Sequence, residues 1–350
     1  MPRLRRVDCS GPGITRRRRG TGFEYRDEDG EHIEDPGVVE RIRELAIPPA
    51  WEDVWICPYP HGHIQAIGTD AAGRRQYRYH DAWRERRDAE KFEEMLDFAR
   101  ALPRLRKTGA KHLRLDGLPQ ERVLAGAVRL LDRGFFRIGG EDYAEKNGTY
   151  GLATMQKRHV TLGEDGVLVF DYEAKGGQQR LQSIVDPDVY DLVGELKRRR
   201  AGGDELLAYK DGRRWVDVRS TDINEYIKEH AGGDYSAKDF RTWNATVLAA
   251  VALAVSGRSV GSQTSRKRAI ARAVKEVAHY LGNTPAVCRA SYIDPRVFDR
   301  YRDGVTIGGA IDELGEEDAL GGPGAQGPIE EAVLDLLEER ESSPVLEKVA

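Results

Sequence analysis

The chain has 350 residues, a charged fraction of 33% and a mean hydropathy of -0.60, values that fit two or three water-facing domains rather than a membrane protein. Its longest apolar run, residues 245–255, is about half the length a membrane span needs. The net charge of -4 is unevenly spread: residues 304–350 hold twelve acidic and two basic side chains, which leaves residues 1–303 at +6, a balance compatible with a polyanionic partner.

Cys9, Cys57 and Cys288 are few and scattered, which suits a reducing compartment better than a disulfide framework or a thiolate zinc site. The basic start, Met1-Pro2-Arg3-Leu4-Arg5-Arg6, has no apolar stretch behind it, so it does not read as a secretory signal. A cytoplasmic protein is expected. Residues 1–21 mix Gly, Pro and the run Arg16–Arg19, and are expected to be a mobile basic segment able to touch phosphates.

From residue 22 onward, short alternating stretches broken by turn signals predict a small antiparallel sheet with one helix near Pro36–Leu45. Gln76, Tyr77 and Tyr79 alternate on its last strand, so Tyr77 and Tyr79 share a face. His61 and His63 lack an acidic or cysteine partner at ligand spacing, so they are not read as a metal pair. The period changes near residue 84, which closes a domain over 22–84 and opens one over 85–303.

The second domain begins with helical patterns after Asp81 and at about Gln120–Arg133. Three strands follow (Arg158–Leu162, Val167–Tyr172, Gln179–Val185), with Lys175 on the Lys175-Gly176-Gly177 turn between the last two. Helices are predicted at about Asp188–Arg200, Ser220–His230, Ser236–Val255 and Ser265–Leu281, the last ending at Gly282. Ser256–Arg268, with Arg258, Arg266, Lys267 and Arg268, reads as a basic loop leading into a helix. Beyond Gly304 the acidic composition and the Gly-Gly-Pro-Gly stretch at 321–324 predict a loosely attached tail, 304–350.

Five polar side chains form the candidate site. Tyr292, in Ala290-Ser291-Tyr292-Ile293-Asp294-Pro295, is the candidate nucleophile. Arg241 lies near the start of a helix that Ser236 and Asp239 are placed to cap, where a guanidinium and backbone N–H groups can converge on a phosphate. Arg137 stands between two phenylalanines and two glycines, the latter expected to admit a nucleic-acid backbone. Lys175, on its turn, is placed to give a proton to a leaving oxygen.

In this order, Arg137, Lys175, the Lys238-Asp239-Phe240-Arg241-Thr242 motif and the segment around Tyr292 resemble type IB DNA topoisomerases, most closely the small bacterial and poxvirus-like branch. The resemblance extends to Ile47-Pro48-Pro49-Ala50-Trp51, Val54-Trp55-Ile56-Cys57-Pro58, Gly62-His63-Ile64-Gln65-Ala66 and the run Gly73–His80, covering about residues 22–303. One position departs from the pattern: nine residues before Tyr292, where many members carry histidine, this chain has Asn283. An amide N–H still donates a hydrogen bond, and the spacing favours Asn283 over His279, one helical turn earlier.

The resemblance implies an α+β protein: a small N-terminal antiparallel β-sheet domain and a larger, mainly α-helical catalytic domain, closing as a clamp on double-stranded DNA. It implies relaxation of supercoils through a DNA 3′-phosphotyrosyl intermediate, with no ATP, metal or other cofactor. Gln76, Tyr77, Tyr79 and Tyr143 would face the DNA, and a monomer is expected. The alternative is a tyrosine site-specific recombinase, which shares the chemistry. Its usual motif has histidine where Lys238 stands, and it usually lacks an N-terminal sheet.

Overall fold

The computed structural model describes residues 3–257, 262–314, 326–340 and 342–348. Arg258 of the basic loop and the 321–324 glycine-rich stretch lie outside the described residues. The chain divides into two compact units, Met1–Phe92 and Glu93–Ala350.

The first unit is a five-stranded antiparallel sheet built from β1 (Ile14–Arg19), β2 (Gly22–Arg26), β3 (Glu52–Ile56), β4 (Ile64–Thr69) and β5 (Arg75–Tyr79), in the order β2-β1-β3-β4-β5. Its core of Ile14, Val54, Ile56 and Ala66 packs against Ile42 of helix α1 (Pro36–Glu44). Asp35 starts that helix by accepting bonds from the Gly37 and Val38 amides at 2.8 and 3.2 Å, a cap worth about 1 kcal/mol. The mobile segment expected over residues 1–21 is not what forms, because β1 is an interior strand. Ile14 is buried, and Arg16 turns inward to donate to the carbonyls of Ile47, Pro48 and Trp51 while lying over the Phe23 ring. The arginine run masked the alternation; Arg17, Arg18 and Arg19 remain exposed.

On β5 the Tyr77 and Tyr79 rings stack at 6.1 Å, and both are exposed. Gln76 alternates with them and donates to Asp70 at 2.9 Å. His63 takes a structural part, its Nδ1 accepting from the Val7 amide at 3.1 Å while its ring meets Trp83 edge-on.

Helix α2 (Asp81–Leu113) contains the division between the units, which falls at Phe92/Glu93 rather than at 84/85. The second unit is mainly helical: α3 (Gln120–Gly134), α4 (Glu141–Asn147), α5 (Pro187–Arg198), α6 (Ser220–Ala231), α7 (Ala237–Gly257), α8 (Gln263–Leu281), α9 (Pro285–Ser291), α10 (Pro295–Arg302) and two further helices, Gly308–Leu314 and Gln326–Leu337. A three-stranded antiparallel sheet joins them, β6 (Val160–Leu162), β7 (Val167–Ala174) and β8 (Gln178–Val185). Ala174 pairs with Gln178 across the Lys175-Gly176-Gly177 turn, whose two glycines have φ of 83° and 73°. Left-handed backbone at two successive positions costs side-chain-bearing residues about 1–2 kcal/mol each, which is why glycines sit there.

Helix α7 is apolar on most sides and buries Phe240, Trp243, Ala245, Ala249, Ala250 and Leu253, so it forms the centre of the second unit. Within the expected loose acidic tail, 304–350, the described residues include packed elements. Val305–Thr306 pairs with Glu347–Lys348 in a short antiparallel ladder, and Ile329, Val333, Leu336 and Leu337 of the last helix are buried. The helix hides apolar residues at a period near 3.6 while its other faces carry the acids, and composition registered only the acids.

Candidate active site

Four successive carbonyls at the C-terminal end of α8 organise the site. The carbonyl ends of a helix carry partial negative charge and lack intrahelical partners, so they attract guanidinium groups. Arg180 of β8 takes the His279 and Tyr280 carbonyls, Arg241 the Leu281 carbonyl at 2.9 Å, and Arg137 the Gly282 carbonyl at 3.0 Å. Gly282 permits this close assembly: it turns the chain at φ 61°, and a β-carbon there would stand 3.2 Å from an Arg180 nitrogen.

Arg241 is only 4% exposed and also donates to the Phe135 carbonyl at 2.6 Å. The cap expected for its helix forms, with Asp239 accepting from the Ser236 amide at 2.8 Å and from its hydroxyl at 3.0 Å. Burial, with the neighbouring charge of Arg137, pushes Arg241 down to about 10, so it stays charged at neutral pH. A guanidinium is placed in such a spot where its charge has an anion to meet.

Tyr292 follows α9 as its C-cap, and its ring lies 5.3 Å from the Arg241 guanidinium. Burial alone pushes the phenol up, but the charges of Arg241 and Arg137 outweigh it, so the hydroxyl titrates below the ordinary phenol value of 10.0. Its backbone is pinned from two sides. The Tyr292 and Ile293 amides donate to Cys288 at 3.0 and 3.2 Å, and the wholly buried Thr246 hydroxyl of α7 accepts from the Asp294 amide at 3.1 Å. Asp294 then caps α10, accepting from the Arg296 amide at 2.9 Å, and pairs with the Arg296 guanidinium, which also reaches Glu93.

Asn283 accepts a hydrogen bond from Arg137 through its amide oxygen. Its Nδ2 and the Nε of Arg241 are buried without an acceptor among the described residues. Both residues lie close enough to the Tyr292 oxygen to favour its phenolate, and a phosphate oxygen there would give these two donors an acceptor of full hydrogen-bond geometry. The His279 ring is exposed against Tyr280 and takes no part in this cluster; only its carbonyl does.

Arg137, Lys175, Arg241 and Tyr292 all line one pocket of about 280 Å³, together with Tyr143, Thr149, Tyr150 and Lys238. Lys175 is exposed on its turn, its Nζ 5.4 Å from the Tyr143 ring. Gln76, Tyr77 and Tyr79 belong to the other unit. Of the two glycines after Arg137, Gly139 has a different part from the one expected. A β-carbon on Gly151 would stand 2.5 Å from the Gly139 Cα, so the pair lets two chain segments cross, and the Leu152 amide thereby reaches the Arg137 carbonyl at 2.9 Å. Gly140 faces open space. Sequence reasoning missed Thr149 and Tyr150, which no motif marked, and Arg180, whose part depends on where α8 ends. Lys238 stood inside a recognised motif without a role.

A phenol beside the buried Arg241 guanidinium and the half-buried Arg137 is an arrangement that suits an anion such as a phosphate. The catalytic-core model of eukaryotic DNA topoisomerase I matches residues 80–307, and the model of the bacterial DNA topoisomerase IB N-terminal domain matches residues 22–70. DNA topoisomerase 1B of Acanthamoeba polyphaga mimivirus is 33% identical over 298 residues, covering 83% of this chain and 88% of that protein. DNA topoisomerase I of monkeypox virus is 22% identical over 239 residues, 68% of this chain and 72% of that one. DNA topoisomerase 1 of Candidozyma auris is 29% identical over 161 residues, only 20% of its own length. The chain belongs to the type IB DNA topoisomerase family, in its small bacterial and viral branch. It is an isomerase that relaxes DNA by transient cleavage, and the recombinase alternative falls away.

Proposed function

We propose that Tyr292 attacks a phosphodiester of duplex DNA in line, forming a DNA 3′-phosphotyrosine and releasing a 5′-hydroxyl, which later attacks the same phosphorus to reseal the strand. The observation that carries this reading is the convergence of Tyr292 with Arg137, Arg241 and Lys175 on one pocket. The Tyr292 O–P bond forms as the P–O5′ bond breaks, so the energy of the phosphodiester is kept in the covalent link and ATP has no part. Negative charge grows on the non-bridging oxygens as the phenolate attacks. Arg241 and the free amide N–H of Asn283 are the preorganised donors for it, with Arg137 held beside them by the same Asn283. These cations make a metal ion unnecessary for the charge stabilisation. Lys175, on an exposed turn at the pocket edge, hands a proton to the departing 5′ oxygen. While the strand is open, rotation about the intact strand releases supercoils.

The exposed Tyr77 and Tyr79 pair and Gln76 on β5, together with Tyr143, serve as DNA contacts. The protein works as a monomer on cytoplasmic DNA. Separately, among the described residues no helix is long and apolar enough to cross a membrane. The test is capture of end-labelled duplex by detergent quench. Wild-type protein is expected to yield a 3′-linked adduct, Tyr292→Phe none with DNA affinity retained, and adduct formation by Tyr292→Phe contradicts the reading.

A further inference from the structure

Thr149 is 6% exposed, lines the pocket that holds Arg137, Lys175 and Tyr292, and its hydroxyl is buried without a hydrogen-bond partner among the described residues. An isosteric valine would pack as well without stranding a polar atom, so nothing among the described residues accounts for the hydroxyl. Its place is fixed on both sides. Gly148, at φ 65°, ends α4 just before it, and the Tyr150 amide just after it donates to the Glu173 carbonyl at 2.8 Å, two residues before Lys175. Thr149 therefore stands on the same wall of the pocket as Lys175. Arg241 and Asn283, the other buried donors without acceptors near Tyr292, face the same phosphate in the reading above.

We propose that the Thr149 hydroxyl donates a hydrogen bond to a non-bridging phosphate oxygen of the DNA strand seated in this pocket, and so is a further catalytic residue of the cleavage step. The inference rests on the pocket being the cleavage site. Among the described residues the hydroxyl is a buried donor without an acceptor, and the seated strand supplies one. Removing it therefore harms the reaction and not the fold, the reverse of what a structural threonine does.

The experiment is single-turnover cleavage of duplex DNA at saturating protein by wild type, Thr149→Val, Thr149→Ser and Tyr292→Phe, with thermal unfolding of each. Thr149→Val is expected to cleave roughly ten- to a hundredfold more slowly, with an unfolding midpoint equal to or above wild type, and Thr149→Ser to stay close to wild type. On substrates with a single methylphosphonate at the scissile phosphate or at a neighbour on either side, the valine penalty is expected to vanish at one position, where the accepting oxygen has gone. Wild-type cleavage by Thr149→Val overturns the proposal, as does an equal slowing of Thr149→Val and Thr149→Ser with a lowered midpoint. Adduct formation by Tyr292→Phe overturns the cleavage-site reading itself, so the two failures are separable.

Discussion

The pH behaviour of Tyr292 follows from its two guanidinium neighbours. The phenolate is the reactive form, and Arg241 and Arg137 hold its titration below the usual 10.0 despite burial. Single-turnover cleavage is therefore expected to rise with pH to a break below 10. Arg241→Ala removes the attraction and leaves most of the burial, so the rising limb moves to higher pH. The same change is expected to cost about 10²–10³ in cleavage rate at neutral pH, the loss found when one preorganised oxyanion donor is removed. An unshifted limb in Arg241→Ala contradicts the electrostatic account. At this scale much of the site was legible. Arg137, Lys175, Arg241 and Tyr292 are each unremarkable alone and were marked by their order and motifs in the family resemblance; all four line one pocket. Thr149 was not legible, because only burial without a partner distinguishes it from any other threonine.

Among the elements, α7 does most of the positioning. It carries Arg241 at its start and Thr246 one turn later, where the hydroxyl bonds the Thr242 carbonyl at 2.9 Å and receives the Asp294 amide. Thr246→Val strands that buried amide and is expected to destabilise the protein by about 1–3 kcal/mol, read from denaturant unfolding. It is also expected to slow cleavage with little change in DNA affinity, since the turn bearing Tyr292 loses its tie to α7. Weakened DNA binding with an unchanged cleavage rate speaks against that role. The long helices were read from their apolar period and capping residues to within a few residues, as with Gln263–Leu281 ending at Gly282. Short elements escaped: α4, α9 and the hairpin Ala208–Asp211 with Arg214–Asp217 are too brief to show a period.

For the whole molecule, described residues beyond Gly304, Ile329, Val333, Leu336 and Leu337 among them, belong to the second unit's core, which composition did not reveal. Glu330 of the last helix accepts from Arg106 and, at 2.9 Å, from the Trp243 indole of α7, while Arg106 also pairs with Asp132 at 2.8 Å. Glu330→Ala leaves a half-buried guanidinium with Asp132 as its remaining partner and an indole unbonded, and is expected to cost about 1–3 kcal/mol in a chemical unfolding curve. A change below about 0.5 kcal/mol, the usual range for a surface substitution, contradicts this placement. The first unit carried the converse lesson, since four consecutive arginines looked like a disordered arm and are an interior strand of its sheet. The central claim is best tested on supercoiled plasmid incubated in EDTA without nucleotide. Wild type is expected to relax both positive and negative supercoils and to leave a detergent-trapped 3′ adduct, and Tyr292→Phe to do neither. Failure to relax or to form an adduct while DNA is still bound, or relaxation that survives in Tyr292→Phe, contradicts the account.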